Sequence, residues 1–261
     1  MAVLTALGVG VLVGVVVGAL GAGGGILSVP ALIYLLGQEP HDASAGSLVV
    51  VGLTAIVSLI APARAGRVHW RDGATFGLMS VLGALVGSRA SVAVDGTLLL
   101  TLFCVMLAVV GVVMLVRGLR SRKSPDDGGG SEKDSASARR GLLVVAAAAT
   151  FTGFLTGFFG VGGGFIVVPM LVLALGFPMK DASGTSLLVM IIASSAGLAA
   201  RVGTHSNVDW PVVLAFAAAS MVGGILGGPL TKRASASTLT TTFGLLLLGV
   251  CAVTAYDLLR A

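Results

Sequence analysis

The sequence predicts an all-α membrane protein: two homologous four-helix repeats, about eight transmembrane helices in all, with a glycine-broken first helix in each half. Three observations predict it. Of the 261 residues, 56% are apolar and only 10% are charged. Soluble domains carry roughly a quarter charged residues, so a globule of this chain would leave too much apolar surface in water. The apolar residues fall into blocks of membrane-spanning length. One segment of the first half also recurs in the second at a single fixed offset.

The blocks run over residues 3–36, 45–63, 73–92 and 97–116, then 141–176, 184–200, 211–230 and 238–256. About 20 helical residues cross the ~30 Å hydrocarbon layer, and six blocks fit one span each. The first and fifth are too long, since about 35 residues at ~1.5 Å apiece make ~50 Å of helix. Each holds three adjacent glycines, Gly23, Gly24 and Gly25 in one and Gly162, Gly163 and Gly164 in the other. Each is therefore expected as two half-helices flanking a break. The layout that follows is a first transmembrane repeat over 1–118, a polar cytoplasmic linker over 119–140 and a second repeat over 141–261.

Residues 2–20 have the length and apolarity of a signal peptide, but no basic residues precede them. The same segment recurs in mid-chain, so it is expected to stay in the mature protein. Around the linker, Arg117, Arg120, Arg122, Lys123, Lys133, Arg139 and Arg140 outnumber Asp126, Asp127, Glu132 and Asp134, which places that stretch in the cytoplasm. Arg64, Arg67 and Arg71 mark a second cytoplasmic loop, whereas the loop from Glu39 to Asp42 lacks Lys and Arg. Four spans per half satisfy these assignments and put both termini inside. Lys232 and Arg233 fit that scheme badly. Five spans per half would invert the halves, and the charge pattern leaves both counts open. The net charge of +5 does not indicate nucleic acid, because the basic residues lie between apolar blocks rather than on one face of a globule.

The repeat is explicit. Aligning Gly21 with Gly160 gives an offset of 160 − 21 = 139, and 17 of the 37 positions from 14 to 50 then match without a gap. The matches include Pro30, Asp42, Ser44 and Ser47, which apolar bias alone does not produce. With one inserted residue, Trp70 meets Trp210, Gly83 meets Gly223 and Gly87 meets Gly227. Duplicated halves around a shared midplane site are a frequent design in secondary transporters.

Two motifs carry the chemistry. The first is the glycine run followed by a proline, Gly21 to Pro30 and again Gly160 to Pro169. A broken helix leaves backbone N–H groups to be satisfied by protein, water or ligand, and half-helix N-termini favour anions. Close helix packing is the competing explanation, but three adjacent glycines exceed what packing needs. A dinucleotide site is excluded by the lack of a preceding strand and of a suitably spaced acidic residue. The second motif is Asp42-Ala43-Ser44 with Ser47, repeated as Asp181-Ala182-Ser183 with Thr185 and Ser186. Asp42, Asp181, Ser44 and Ser183 read as helix caps. Ser47, Thr185 and Ser186 follow within a turn and offer hydroxyls to an oxyanion without burying a charge. The candidate substrate contacts are thus Gly23, Gly24, Gly25, Ser47, Gly162, Gly163, Gly164, Thr185 and Ser186.

Elsewhere the residues read as structure. Gly83, Gly87, Gly223 and Gly227 fit helix packing, and Arg64, Arg67, Arg89 and Arg201 fit span ends. Cys104 and Cys251 sit in apolar stretches without ligand-like spacing, and His41, His69 and His205 are scattered. No catalytic residue, metal site or cofactor is expected, and the chain is not read as an enzyme.

The doubled glycine run with its proline, followed in both halves by Asp-Ala-Ser and a further Ser, resembles the TauE/SafE family of sulfite exporters and related anion permeases. The similarity covers nearly the whole chain outside the linker. It implies secondary transport of sulfite, a sulfonate, thiosulfate or a related organic anion across a bacterial inner membrane, with an anion channel of the same fold as the alternative. The expected partners are that anion, the lipid bilayer, a proton or counter-ion for coupling and a second copy of the chain, and no nucleic acid. The first half departs from the pattern, reading Ala45-Gly46-Ser47 where the second reads Gly184-Thr185-Ser186, so the resemblance implies an asymmetric site.

Overall fold

The computed structural model describes residues 2–21, 27–28, 31–32, 40–92, 94, 96–123, 138–159, 164–200 and 209–260. Among these the chain is all-helical, with nine helices: α1 (Ala2–Leu20), α2 (Pro40–Arg64), α3 (Trp70–Val92), α4 (Gly96–Lys123), α5 (Ala138–Phe159), α6 (Gly164–Leu173), α7 (Met179–Ala200), α8 (Trp210–Arg233) and α9 (Ala236–Arg260). Five segments, within α2, α4, α7, α8 and α9, are long and apolar enough to cross a membrane, and shorter apolar helices span Ala6–Leu20 and Val145–Phe159.

Both long blocks divide where the glycines lie. α1 stops at Gly21, which takes φ +61° and donates its N–H to Val17 O at 2.8 Å. In the second half α5 ends at Phe159 and α6 begins at Gly164. At its other end the first half's polar boundary moves outward: α4 continues through Lys123, because Arg and Lys are good helix formers whose heads reach water beyond the lipid.

The helices run in two sets. Gly10, Gly14 and Gly18 of α1 face Phe216, Ser220 and Gly224 of α8 in ascending order, so these two helices are parallel. α2 joins them in the same sense, with Gly46 against Val213 and Ser58 against Gly224. In the same way Gly153 and Gly157 of α5 face Ser80 and Ala84 of α3, while Gly73 and Gly77 of α3 face Leu188 and Ile192 of α7. The sets meet along the antiparallel α2–α7 pair, and a second antiparallel pair, α4–α9, packs against the set of α3, α5 and α7. Gly52 meets Ser194 and Gly197 meets Leu48 in α2–α7, and Gly118 meets Thr241 in α4–α9.

Each set has its own core. Val13, Val17, Val50, Ala55, Phe216 and Ala217 fill α1–α2–α8, while Phe76, Ala149, Val168, Leu171 and Val189 fill the other set, joined by Phe103, Leu107, Phe243 and Leu247 of α4 and α9. Small residues bring the α1–α8 and α3–α5 backbones into near contact, which replaces the hydrophobic drive that lipid removes. The outward faces, such as Leu78, Leu82, Leu85, Val105 and Val109, are large and apolar.

Candidate functional site

The predicted contacts separate along the α2–α7 pair. Ser186, in the second turn of α7, donates its hydroxyl proton between Gly21 O and Ser183 O, each at 2.8 Å. It thus fastens the end of α1, where the glycine break starts, to α7. A Cβ on Gly21 would also meet the Ser186 hydroxyl at 2.7 Å, so both φ and space demand glycine there. Thr185 is fully buried, and its Oγ1 accepts the backbone N–H of His69 at 3.1 Å. Ser47 is fully buried on α2. It lies next to Leu48, which faces Gly197, whereas Gly184 faces Pro62. About 13 residues of helix, roughly 20 Å, therefore separate the Ser47 level from the Ser186 level. Gly164 opens α6, and Gly23, Gly24, Gly25, Gly162 and Gly163 lie outside the described residues.

The difference between the two copies at Gly46 and Thr185 has a packing cause. A Cβ on Gly46 would come within 2.8 Å of Val213, whereas the Thr185 methyl occupies the space above Gly73. Bulk on one helix is matched by its absence on the partner, in opposite senses in the two places.

The caps also differ from expectation. α7 starts after Pro178, whose carbonyl accepts the N–H groups of Asp181 and Ala182 at 3.0 and 2.9 Å, and the Ser183 hydroxyl bonds Lys180 O. Asp181 therefore sits inside the first turn, where a negative charge suits the helix dipole. Its carboxylate lies 3.6 Å from His69 Nε2, and Asp72 lies 3.7 Å from Nδ1. His69 also rests against Phe177, with ring centroids 4.6 Å apart. The α2–α3 loop is thereby held to the head of α7.

That loop carries Arg67 to an open cleft. α2 ends in a glycine cap: Gly66 takes φ +68° and donates to Ala63 O at 3.1 Å, and Arg67 donates to Pro62 O at 3.0 Å. The cleft is lined by Arg67 and Lys180 with Ser183, Pro62, Gly18 and Gly228 among others. Two cations thus stand above the end of α1, and among the described residues no acidic one lines the cleft.

Beneath the cleft lies a feature the sequence reading passed over. Thr54, Ser58 and Ser194 are buried and, among the described residues, their hydroxyls have no hydrogen-bond partner; the hydroxyls of Ser28 and of half-buried Thr241, elsewhere in the fold, also lack one. Such a group costs about 1–3 kcal/mol when left unmatched. Ser58 is one turn below Pro62 on α2, Thr54 one turn further, and Ser194 faces Gly52 from α7. With Ser47 they fall at i, i+7 and i+11, one stripe of a helix, and that spacing was the available signal. Among the described residues no group of three or more His, Cys, Asp or Glu is placed to hold a metal.

Comparison with known proteins gives the family. The family model described as sulfite exporter TauE/SafE matches residues 6–254. A probable membrane transporter protein of Xylella fastidiosa (strain Temecula1) is 37% identical over 252 residues, covering 95% of this chain and 92% of that protein. The Bacillus subtilis probable membrane transporter protein YunE is 26% identical over 252 residues, covering 92% of each. No solved structure matches.

Proposed function

The chain belongs to the sulfite exporter TauE/SafE family, a family of multi-pass membrane transporters rather than enzymes, and from that premise we propose that it is a secondary transporter of a small anion. The anion is sulfite, a sulfonate, thiosulfate or a related organic anion, and the membrane is a bacterial inner membrane. The cycle is alternating access, driven by a proton or counter-ion gradient.

One observation carries the mechanism: the contacts are reciprocal. Adding 139 to Gly14 and subtracting 140 from Ser220 turns the α1–α8 contact into Gly153 against Ser80, and Gly18 against Gly224 becomes Gly157 against Ala84. The α2–α7 and α4–α9 pairs, antiparallel, join equivalent helices of the two copies. We therefore read the halves as inverted, about an axis in the membrane plane. Because α1 and α2 run the same way, we count five crossings per half. The linker then lies on one face and both termini on the other. Of the sixteen Lys and Arg, all but Arg89, Arg201 and Arg260 fall on the linker face, which is the cytoplasmic one. Lys232 and Arg233, awkward with four spans per half, now agree.

In this scheme the anion meets two clusters in turn. One holds the N–H groups of Gly23, Gly24 and Gly25 with Thr185 and Ser186, and the other those of Gly162, Gly163 and Gly164 with Ser47. Thr185 and Ser186 lie toward one end of α2–α7 and Ser47 toward the other. Proteoliposomes loaded with unlabelled sulfite or isethionate and challenged with the labelled anion test it. Saturable counterflow, reduced by Gly163→Leu and Thr185→Val, is expected. Non-saturating flux without counterflow indicates a channel, and no flux of any anion overturns the reading.

A further inference from the structure

Membrane helices commonly settle a buried hydroxyl by returning its proton to the carbonyl one turn back. Thr152, Thr156, Thr240 and Thr254 do so here, each to the residue four earlier, at 2.6, 2.7, 2.9 and 2.9 Å. Thr54, Ser58 and Ser194 do not, although they are 0%, 1% and 3% exposed. Their protons are unspent in the middle of the protein. Glycine backbone packs close beside them: Gly224 lies directly against the Ser58 hydroxyl, and a Cβ on Gly52 would come within 3.3 Å of Ser194.

These hydroxyls lie one and more helical turns inward from residues that line the cationic cleft. Ser58 is one turn from Pro62, which lines the cleft, and Gly224 is one turn from Gly228, which lines it too. The register of α2 against α7 sets Ser194 against Gly52, two residues from Thr54. From the mouth inward the order is Arg67 and Lys180, then Ser58, then Thr54 and Ser194, with about 6 Å between successive turns of α2.

We propose that the Arg67–Lys180 cleft is the cytoplasmic docking site for the transported anion, and that Ser58, Thr54 and Ser194 are the hydroxyl steps carrying it to the centre of the α2–α7 pair. This rests on the anion-transport reading and adds residues to it. Hydroxyls alone do not select charge, since their oxygen accepts and their proton donates. The two cations at the mouth set the sign. A small oxyanion has acceptor oxygens on several sides, so it takes a proton from each hydroxyl it passes and supplies the partner these groups lack. No fixed charge sits along the steps to trap it, as a path that must release its cargo requires.

The test uses cysteines introduced at the steps. In a Cys104→Ala, Cys251→Ala background, Ser58→Cys, Thr54→Cys and Ser194→Cys are each exposed to 2-sulfonatoethyl methanethiosulfonate and to its similarly sized trimethylammonium analogue. The sulfonate is expected to modify Ser58→Cys at least tenfold faster than the cation, and isethionate is expected to slow it. Arg67→Gln with Lys180→Gln is expected to remove most of that preference. Thr241→Cys, packed against Gly118 away from the path, stays inert. Equal rates for both reagents, inert cysteines at all three steps, or a Thr241→Cys as fast as Ser58→Cys overturn the proposal. Counterflow of labelled isethionate in the same proteoliposomes separates the two levels. Transport with inert step cysteines overturns this inference alone, whereas a parent that moves no anion overturns the function and this inference with it.

Discussion

Ser186 Oγ and the carbonyl oxygen of Gly21 lie 2.8 Å apart although 165 residues separate them in sequence. The bond ties the left-handed glycine that ends α1 to the head of α7. Removing the hydroxyl with Ser186→Ala leaves that buried carbonyl without this donor, at a cost of about 1 kcal/mol. For a chain of this size that corresponds to a melting temperature lower by about 2–4 °C. Thermal unfolding of purified protein in detergent measures it, and an unchanged melting curve refutes the tie.

The α1–α8 contact predicts a contrast between two glycines on one helix. A Cβ on Gly14 would stand 2.7 Å from Ser220 main-chain atoms, whereas nothing lies within 4 Å of one on Gly8. Gly14→Ala is expected to destabilise by about 1–3 kcal/mol and Gly8→Ala by less than about 0.5 kcal/mol. Gly153→Ala, facing Ser80, should match Gly14→Ala. Equal melting of the Gly14 and Gly8 variants in the same assay contradicts the packing described.

The exchange of bulk at Gly46 and Val213 is open to a double-mutant cycle. Gly46→Ala drives a methyl toward Val213, and Val213→Ala alone leaves a gap. Together they should cost about 1 kcal/mol less than the sum of the single losses. Strict additivity in thermal or denaturant unfolding would mean that the two positions do not share the space.

Inverted halves predict sidedness. With the native cysteines replaced, a cysteine at Ser131 in the linker should escape a membrane-impermeant maleimide in intact cells, and one at Ala261 should be labelled. Labelling of both, or of neither, until the cells are opened, places linker and terminus on the same face and restores four spans per half.

Much of this was legible in the sequence because glycine runs, prolines and apolar blocks have few alternative explanations. The span ends at Arg64, Val92 and Ala200 and the stop of α1 at Gly21 follow from length and composition. Thr54, Ser58 and Ser194 were not legible as a set. A lone hydroxyl in an apolar span looks the same whether it bonds the previous turn, as Thr152 does, or keeps its proton free. Partner choice was also hidden, because nothing in α1 says that its glycines face Ser220 and Gly224 rather than a neighbour in its own half. Lys232 and Arg233 were the one hint that the span count was odd. The Asp181 cap reading failed because Pro178, three residues earlier, had already begun the helix.

The pairing of α1 with α8 also constrains how the protein is made. Ribosomes deliver about 5–20 residues per second, so α8 leaves the tunnel roughly 10–40 seconds after α1. During that interval the glycine face of α1 has only lipid or a translocon-associated holder against it, and the first half cannot complete its own lobe. Messages cut in the linker should therefore yield two fragments that are each degraded when made alone and that persist when made together.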